Sequence, residues 1–340
     1  MRILLTCDPE IPVPPTLYGG VERLVDGLAR GYKNEGHEVY LVANPGSTCV
    51  YTIKNYKWPA VHSRGFKNIL KNALFLLKVV NEVKPTVVHS FSRLLYGYPL
   101  FLTKKIPFLQ TYGRKISPKT TSFALKLAGE KLHFTSCAAH MLAGLPNQQA
   151  FTPVFNFTDV DYFTYDPTVE RTHLMFLGRI ENIKGTKEAI EAAIKTGNQI
   201  IVAGNIQPGH DTYFEEEIKL LLEHPLVEYV GPVDDEKKRF YLQRAKALLF
   251  PIKWEEPFGI VLAEAMACGT PVIGFDRGSV PEVVQEGKNG FIVENVDEMA
   301  LAVNKVKTLD NQQIRRDAEM RFSPKNITNK YLELIRDFLN

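Results

Sequence analysis

The sequence predicts an α/β protein made of two parallel-sheet domains, and three observations carry that expectation. Short apolar runs alternate with stretches of helical spacing in both halves of the chain, the trace that strand–helix–strand units leave in a sequence. A length of 340 residues supplies two cores of ordinary size. Near 157–170 the stretch FTDVDYFTYDPT lacks periodicity and ends in a proline turn, so the seam is placed there. The expected domains are residues 1–165, joined by a C-terminal helix at about 326–340, and residues 166–325.

The elements follow in order. RILLTC (2–7) is a short buried-strand run, and IPVPPTLYGG (11–20) is a turn-rich loop. The helix after it sets Val21, Leu24, Val25, Leu28 and Ala29 at helical spacing and closes on Gly36. EVYLVA (38–43), TVVHS (86–90), PFLQTY (107–112) and KLHFTS (131–136) are the next strands. RGFKNILKNALFLLKVVNEVK (64–84) places Phe66, Leu70, Leu74, Leu77 and Val80 on one helical face, with Lys67, Lys71 and Lys78 elsewhere. It reads either as a helix covering the sheet or as a helix lying on a membrane surface.

The second half repeats the alternation. HLMFLG (173–178), QIIVAG (199–204), VEYVG (227–231), ALLFP (247–251) and PVIGF (271–275) are strands. Helices are expected at 185–197, around 212–222, at 234–246, from about Phe258 to Cys268, and briefly from Pro281. The final stretch, NITNKYLELIRDFLN, carries Tyr331, Leu332, Leu334, Ile335, Phe338 and Leu339 at helical spacing.

Composition narrows the function classes. The chain is 45% hydrophobic and 23% charged, ordinary for a globular protein. Cys7, Cys49, Cys137 and Cys268 are scattered without a Cys-x-x-Cys spacing, which suggests neither a zinc site nor a redox motif nor a disulfide framework. No signal-like segment opens the chain, and no apolar run approaches the length of a membrane span, so a cytoplasmic location is expected. Residues 1–165 hold 19 Lys and Arg against 10 Asp and Glu, a balance of +9, while the remainder holds 22 against 28, or −6. A basic first half favours an anionic partner such as a phosphorylated acceptor or an acidic lipid surface, the inner face of a membrane included.

Chemistry concentrates in the second half. In EEPFGIVLAEAMACGTPV (255–272) two carboxylates, Glu256 and Glu264, bracket an apolar stretch. Glu256, before Pro257, belongs in a loop, and a helix beginning near Phe258–Gly259 offers amides without intrahelical partners. Such an end suits an anion, with Glu264 about one and a half turns further on. An extended ligand with an anionic middle and hydroxyls at both ends fits, and a nucleotide sugar is such a ligand. LGRIENIKG (177–185) adds Arg179 at a strand end and Lys184 just before a helix, a guanidinium and an ammonium for a diphosphate. Taken alone, the pair could equally be surface ion pairs. In the first half, YGGVE (18–22) sets Gly19 and Gly20 before a helix; alone this could be only a turn.

Together these stretches resemble the retaining glycosyltransferases of family 4, whose GT-B fold is two facing Rossmann-like domains with a deep cleft between them. GRIENIKG is similar to the family's diphosphate motif and EPFGIVLAE to its Glu-x7-Glu signature; GPVDDEKKRFYLQRAKALLFP (231–251) and GTPVIGFDRGSVPEVVQEGKNGFIV (269–293) match the flanking segments. The resemblance implies that Arg179 and Lys184 neutralise the donor diphosphate and the departing nucleotide. It places Glu256 on the transferred sugar's hydroxyls with amides of Phe258, Gly259 and Ile260, and Glu264 on the ribose. Pro232 and Val233 fall where the family contacts the base, and Gly20 where an amide reaches the phosphate from the other domain. Front-face transfer without a protein nucleophile, a metal or another cofactor is implied, from a donor expected to be UDP-linked to a glycan, lipid-linked or small-molecule acceptor.

Departures fall on the acceptor side. Gly113 stands where the family often has a histidine, which leaves that role vacant, with Arg114 next to it as a candidate. His89 matches the first histidine of a family His-x-His whose second is replaced by Phe91, although a lone histidine at a strand end is more often a satisfied structural group, and Phe157 replaces the usual glycine of the linker. Gly113 and Phe91 keep open a nucleotide-sugar-binding protein impaired in catalysis, and a non-hydrolysing sugar-nucleotide epimerase, which shares the fold, is a further alternative. Asp159-Val160-Asp161 mimics the metal-binding Asp-x-Asp of a different glycosyltransferase fold but lies in the seam. No Gly-x-Gly-x-x-Gly follows a first strand, which disfavours a nicotinamide dehydrogenase, and no feature calls for nucleic acid.

Overall fold

A computed structural model describes residues 1–16, 19–62, 65–103 and 106–339; Tyr18 of the Tyr-Gly-Gly stretch and Arg64 at the head of the basic helix lie outside them. The chain forms two compact units, Met1–Asn156 with Pro324–Asn340, and Phe157–Ser323.

In the first unit, β1 (Arg2–Thr6), β2 (Glu38–Ala43), β3 (Lys54–Lys57), β4 (Val87–Ser90), β5 (Phe108–Tyr112), β6 (Leu132–Ser136) and β7 (Phe151–Pro153) form one sheet. Their order is β3-β2-β1-β4-β5-β6-β7, and each neighbouring pair is parallel. Helices α1 (Gly20–Asn34), α2 (Phe66–Val83), α3 (Tyr98–Thr103) and α4 (Pro118–Ala128) make the crossovers. A parallel sheet covered on both faces needs strands that are apolar throughout, and Ile3, Leu4 and Leu5 are accordingly closed to solvent. The α2 helix covers the sheet with one face and leaves apolar side chains exposed on another. Ala73 is buried, and Leu76, Val79, Val80 and Val83 pack into the core with Leu4, Val88 and Trp58, whereas Phe66, Leu70 and Leu74 face outward. Val80 therefore leaves the expected outer stripe, because its position faces the sheet.

The second unit repeats the plan with β8 (His173–Leu177), β9 (Ile200–Ala203), β10 (Val227–Gly231), β11 (Ala245–Phe250), β12 (Val272–Phe275) and β13 (Gly290–Val293), ordered β10-β9-β8-β11-β12-β13 and parallel. Its helices are α5 (Thr186–Lys195), α6 (Asp211–Tyr213), α7 (Asp235–Arg244), α8 (Ile260–Ala267), α9 (Val280–Val283), α10 (Val296–Lys305) and α11 (Asn311–Phe322). The helix expected around 212–222 is broken: α6 passes into a π-type turn at Phe214–Ile218 and then a 3-10 turn. The last helix, α12 (Pro324–Leu339), packs on α1 in the first unit and buries Ile327, Tyr331, Leu332 and Ile335. No helix among the described residues is long and apolar enough to cross a membrane.

Both sheets reverse their strand order at one place, between β1 and β4 in the first and between β8 and β11 in the second. At such a reversal the connections leave in opposite directions and open a crevice at the carboxyl ends of the strands, where open α/β sheets bind ligands.

Candidate functional site

The segments singled out in the sequence emerge at the reversal in the second sheet. The chain leaves β8 through Gly178 and Arg179, makes a 3-10 turn at Asn182–Lys184 and enters α5 at Gly185. It leaves β11 through Pro251 and runs as a loop past Glu256 to α8, which begins at Ile260 rather than Phe258. The two loops touch. The Lys253 amide donates to the Ile183 carbonyl at 2.9 Å, and a Cβ placed on Gly185 would lie 2.0 Å from the Pro251 carbonyl oxygen. Gly185 also has φ 77°, which other residues adopt only under strain.

That contact brings Lys184 to Glu256. The Lys184 ammonium donates to Glu256 Oε2 at 2.5 Å, with both side chains little exposed (15% and 14%). The Trp254 indole N–H donates to the same oxygen at 3.1 Å, and the Lys184 nitrogen lies 5.0 Å from the Trp254 ring centre. A charge pair so little exposed is only weakly screened by solvent. Arg179, more exposed, pairs with Glu181 Oε1 at 2.7 Å, while His210 Nε2 lies 3.5 Å from the other Glu181 oxygen. The structure thus joins Lys184 to Glu256 and gives Arg179 a different partner.

Glu264 lies one turn into α8, its side chain 7% exposed, and accepts from the Lys238 ammonium at 2.7 Å. Lys238, on α7, also reaches Asp235 at 3.1 Å and lies over the Phe163 ring. Burial disfavours its charge, but Glu264 and Asp235 outweigh that cost and hold its pKa above the ordinary lysine value. Lys238 and Trp254 are the two site residues that sequence reasoning missed. Phe258 is buried against Phe322, and its carbonyl accepts from the Ser279 hydroxyl at 2.6 Å, which fixes the turn into α8. Gly259 takes a left-handed conformation as the N-cap, and Ile260 is the first helical residue. Pro232 and Val233 follow β10, the edge strand, with Pro232 exposed.

In the first unit Gly19 and Gly20 start α1, where the helix's first amides lie. Arg114 follows β5 and pairs through Nη2 with Asp8 Oδ2 at 2.9 Å; Asp8 Oδ1 accepts from the Arg93 amide at 2.9 Å. Burial raises the Asp8 pKa, with Arg114 opposing that effect. Arg114 thus sits at the reversal of the first sheet, while Gly113 beside it faces nearly open space. His89 is different. It has no exposure, its Nδ1 and Nε2 engage the Tyr32 and Thr111 hydroxyls at 2.9 and 2.8 Å, and burial lowers its pKa to about 3. A neutral, enclosed ring with both nitrogens engaged presents nothing to an acceptor, so His89 is corrected to a core residue. Asp159 closes a local turn by accepting from the Tyr162 amide at 3.1 Å.

Comparison with known proteins agrees with this geometry. The family described as Glycosyl transferases group 1 matches residues 165–322, and Glycosyltransferase Family 4 matches residues 18–116. A phosphatidyl-myo-inositol mannosyltransferase of Mycolicibacterium smegmatis is 25% identical over 93% of this chain and 86% of its own length. Among solved structures, a glycosyltransferase from Rickettsia africae superposes with a TM-score of 0.82 at 19% identity, over 100% of this chain and 98% of that one. Anabaena Alr3699/HepE, solved with UDP-glucose, superposes with a TM-score of 0.76 at 16% identity, over 99% and 100%. These likenesses are those of the GT-B fold. With one family matched on each unit and the motif residues gathered at the sheet reversal, the chain belongs to the family 4, group 1 glycosyltransferases.

Proposed function

We propose that this glycosyltransferase is a retaining, metal-independent hexosyltransferase that draws a hexose from a UDP-linked donor. The observation that carries the reading is the joining of Lys184 and Glu256 at the ends of the two strands flanking the sheet reversal. The ammonium neutralises the diphosphate, and its neighbour the carboxylate accepts from sugar hydroxyls, so one ion pair spans the junction between phosphate and sugar. Arg179 exchanges part of its contact with Glu181 for phosphate, and Glu264, steadied by Lys238, accepts from the ribose. The bond from the anomeric carbon to phosphate breaks while the acceptor oxygen bonds to the same face. The acceptor's proton passes to the departing phosphate oxygen, which makes a separate protein base unnecessary. Charge on the leaving group falls to Lys184, Arg179 and the amides that open α5 and α8. The UDP reading draws on HepE, whose structure holds UDP-glucose.

The test is a thermal-shift screen of nucleotide sugars, then transfer assays in chelator with the anomeric configuration read by NMR. The melting temperature is expected to rise with a UDP-hexose in proportion to its affinity, and transfer to proceed with retention. Binding without transfer across a broad acceptor panel would favour an impaired enzyme, an epimer formed from donor alone would favour an epimerase, and loss of activity in chelator would end the metal-independent reading.

The acceptor side is proposed to work against an anionic membrane surface, inner leaflet included, with a glycan or lipid-linked acceptor. Phe66 is 79%, Leu70 45% and Leu74 54% exposed along α2; Leu102 on α3 and Phe123 on α4 are also exposed, and α3 packs on both helices. Exposed Lys67, Lys71, Lys78, Lys115, Lys119, Lys126 and Lys131 lie on or beside α2 and α4. Apolar side chains framed by ammonium groups suit the boundary between headgroups and acyl chains. The protein is expected to sediment with phosphatidylglycerol vesicles at low salt and to be released as salt rises. Binding indifferent to anionic lipid content would refute the idea.

A further inference from the structure

We propose that Trp254 is a positioning residue for the donor sugar: its indole N–H and the Lys184 ammonium together hold Oε2 of Glu256, so that Oε1 is the oxygen turned to the sugar's hydroxyls. The inference rests on the reading of Glu256 as the acceptor of those hydroxyls. Its starting point is that both donors converge on one carboxylate oxygen, Lys184 Nζ at 2.5 Å and Trp254 Nε1 at 3.1 Å.

A carboxylate held by a lysine alone is poorly oriented. An ammonium is a compact point charge that either oxygen satisfies equally, and the terminal torsion of a glutamate is soft. An indole N–H is a single donor with a fixed direction, carried on a ring with two torsions. Adding it to the same oxygen selects one rotation of the carboxylate. The indole has no acceptor of its own, so it does not compete with Glu256 for a sugar hydroxyl.

The backbone around Glu256 is held as firmly. Its amide donates to the Trp254 carbonyl at 2.9 Å, and its carbonyl accepts from the Ser279 amide at 3.1 Å. A Cβ at Gly278 would lie 2.4 Å from the Glu256 nitrogen and 2.7 Å from its carbonyl oxygen, so the turn at 278 presses directly on this peptide. The adjacent carboxylate goes elsewhere. Glu255, 66% exposed, accepts from the Gly278 amide at 3.1 Å and faces Arg277. Of two consecutive glutamates only the second is drawn inward, and the residue that draws it besides Lys184 is two positions back in the same loop.

Because Trp254 acts on the carboxylate assigned to the sugar and not on the cations assigned to phosphate or the carboxylate assigned to ribose, its loss separates donor binding from nucleotide binding. The test measures dissociation constants for UDP and for UDP-glucose by calorimetry in the wild type, Trp254→Phe, Trp254→Tyr and Glu256→Gln. Trp254→Phe keeps the ring beside Lys184 and removes the donor. Its constant for UDP-glucose is expected to rise about tenfold, the scale of one hydrogen bond to a charged group, with UDP unchanged within about twofold. Trp254→Tyr, whose phenol still donates, is expected to recover part of the loss and serves if the phenylalanine variant folds poorly. Equal weakening of both ligands would mark Trp254 as merely structural and overturn the proposal, as would no weakening of either. If Glu256→Gln leaves UDP-glucose binding intact, the reading of Glu256 falls and carries the inference with it; if Glu256→Gln weakens it and the Trp254 variants do not, the inference alone falls.

Discussion

Lys184→Ala is expected to reduce the rate of sugar transfer by about 10²–10³-fold, the scale seen when one preorganised electrostatic contact to a developing charge is deleted. Two losses combine in it. On the proposed reading the diphosphate loses an ammonium that is 15% exposed and so weakly screened, and Glu256 loses the partner that offsets its own burial, leaving Trp254 as its remaining side-chain donor among the described residues. Leaving one member of a little-exposed pair uncompensated also costs stability, on the order of 1–3 kcal/mol here. Lys184→Arg is not expected to restore activity, because a planar fork does not fit the position of a point charge that reaches one carboxylate oxygen while facing an indole. Glu256→Ala is expected to be as damaging to transfer. The double variant should lose less than the sum of the single losses, since the two residues act as one unit. Steady-state kinetics on the four proteins measures this, and a Lys184→Ala enzyme with wild-type turnover would remove Lys184 from the machinery.

How much of this was legible beforehand differs by element, for identifiable reasons. The strands next to each reversal were readable because both faces are covered, and RILLTC or ALLFP can then be apolar throughout. The strands β3, β7 and β13 were not read as strands. All three lie at sheet edges and are three or four residues long, and KNYK at β3 has no aliphatic residue to alternate. Their pairing is imposed by the neighbouring strand and not by their own pattern. The bend at Phe214–Ile218 escaped because a π-type turn shifts helical register by one residue without changing composition. At the candidate site, Arg179, Lys184, Glu256 and Glu264 stand out in the sequence because each sits near a strand end or helix start within a recognisable spacing; the structure places all four around the reversal of the second sheet. Lys238 was not, since its partner is 26 residues away and neither of the two adjacent lysines on α7 carries a mark of the one that turns inward. Trp254 was missed for a simpler reason: an aromatic next to a charged loop reads first as packing. His89 left two readings open, and the depth of β4 decides for the structural one.

Gly185→Ala is expected to destabilise the protein by about 3 kcal/mol or more, among the largest effects a single methyl group produces. The added carbon would have to sit 2.0 Å from the Pro251 carbonyl oxygen and 2.8 Å from its carbonyl carbon, contacts with backbone that no rotamer change relieves. The φ of 77° adds the ordinary penalty of a left-handed conformation. The only relief is to part the loop after β8 from the loop after β11, which breaks the 2.9 Å bond from the Lys253 amide to the Ile183 carbonyl and draws Lys184 away from Glu256. Stability and activity are therefore tied to one contact. At roughly 2–4 °C per kcal/mol for a domain of this size, the melting temperature should fall by about 6–12 °C. Donor binding should weaken even at temperatures where the variant is still folded, because the ion pair is pulled apart before the unit melts. Calorimetric melting with UDP titration reads both quantities. An alanine variant that melts with the wild type and binds UDP as tightly would show that the two loops are not locked together at this glycine, and that Lys184 reaches Glu256 by flexibility of its own side chain and not by the placement of its backbone.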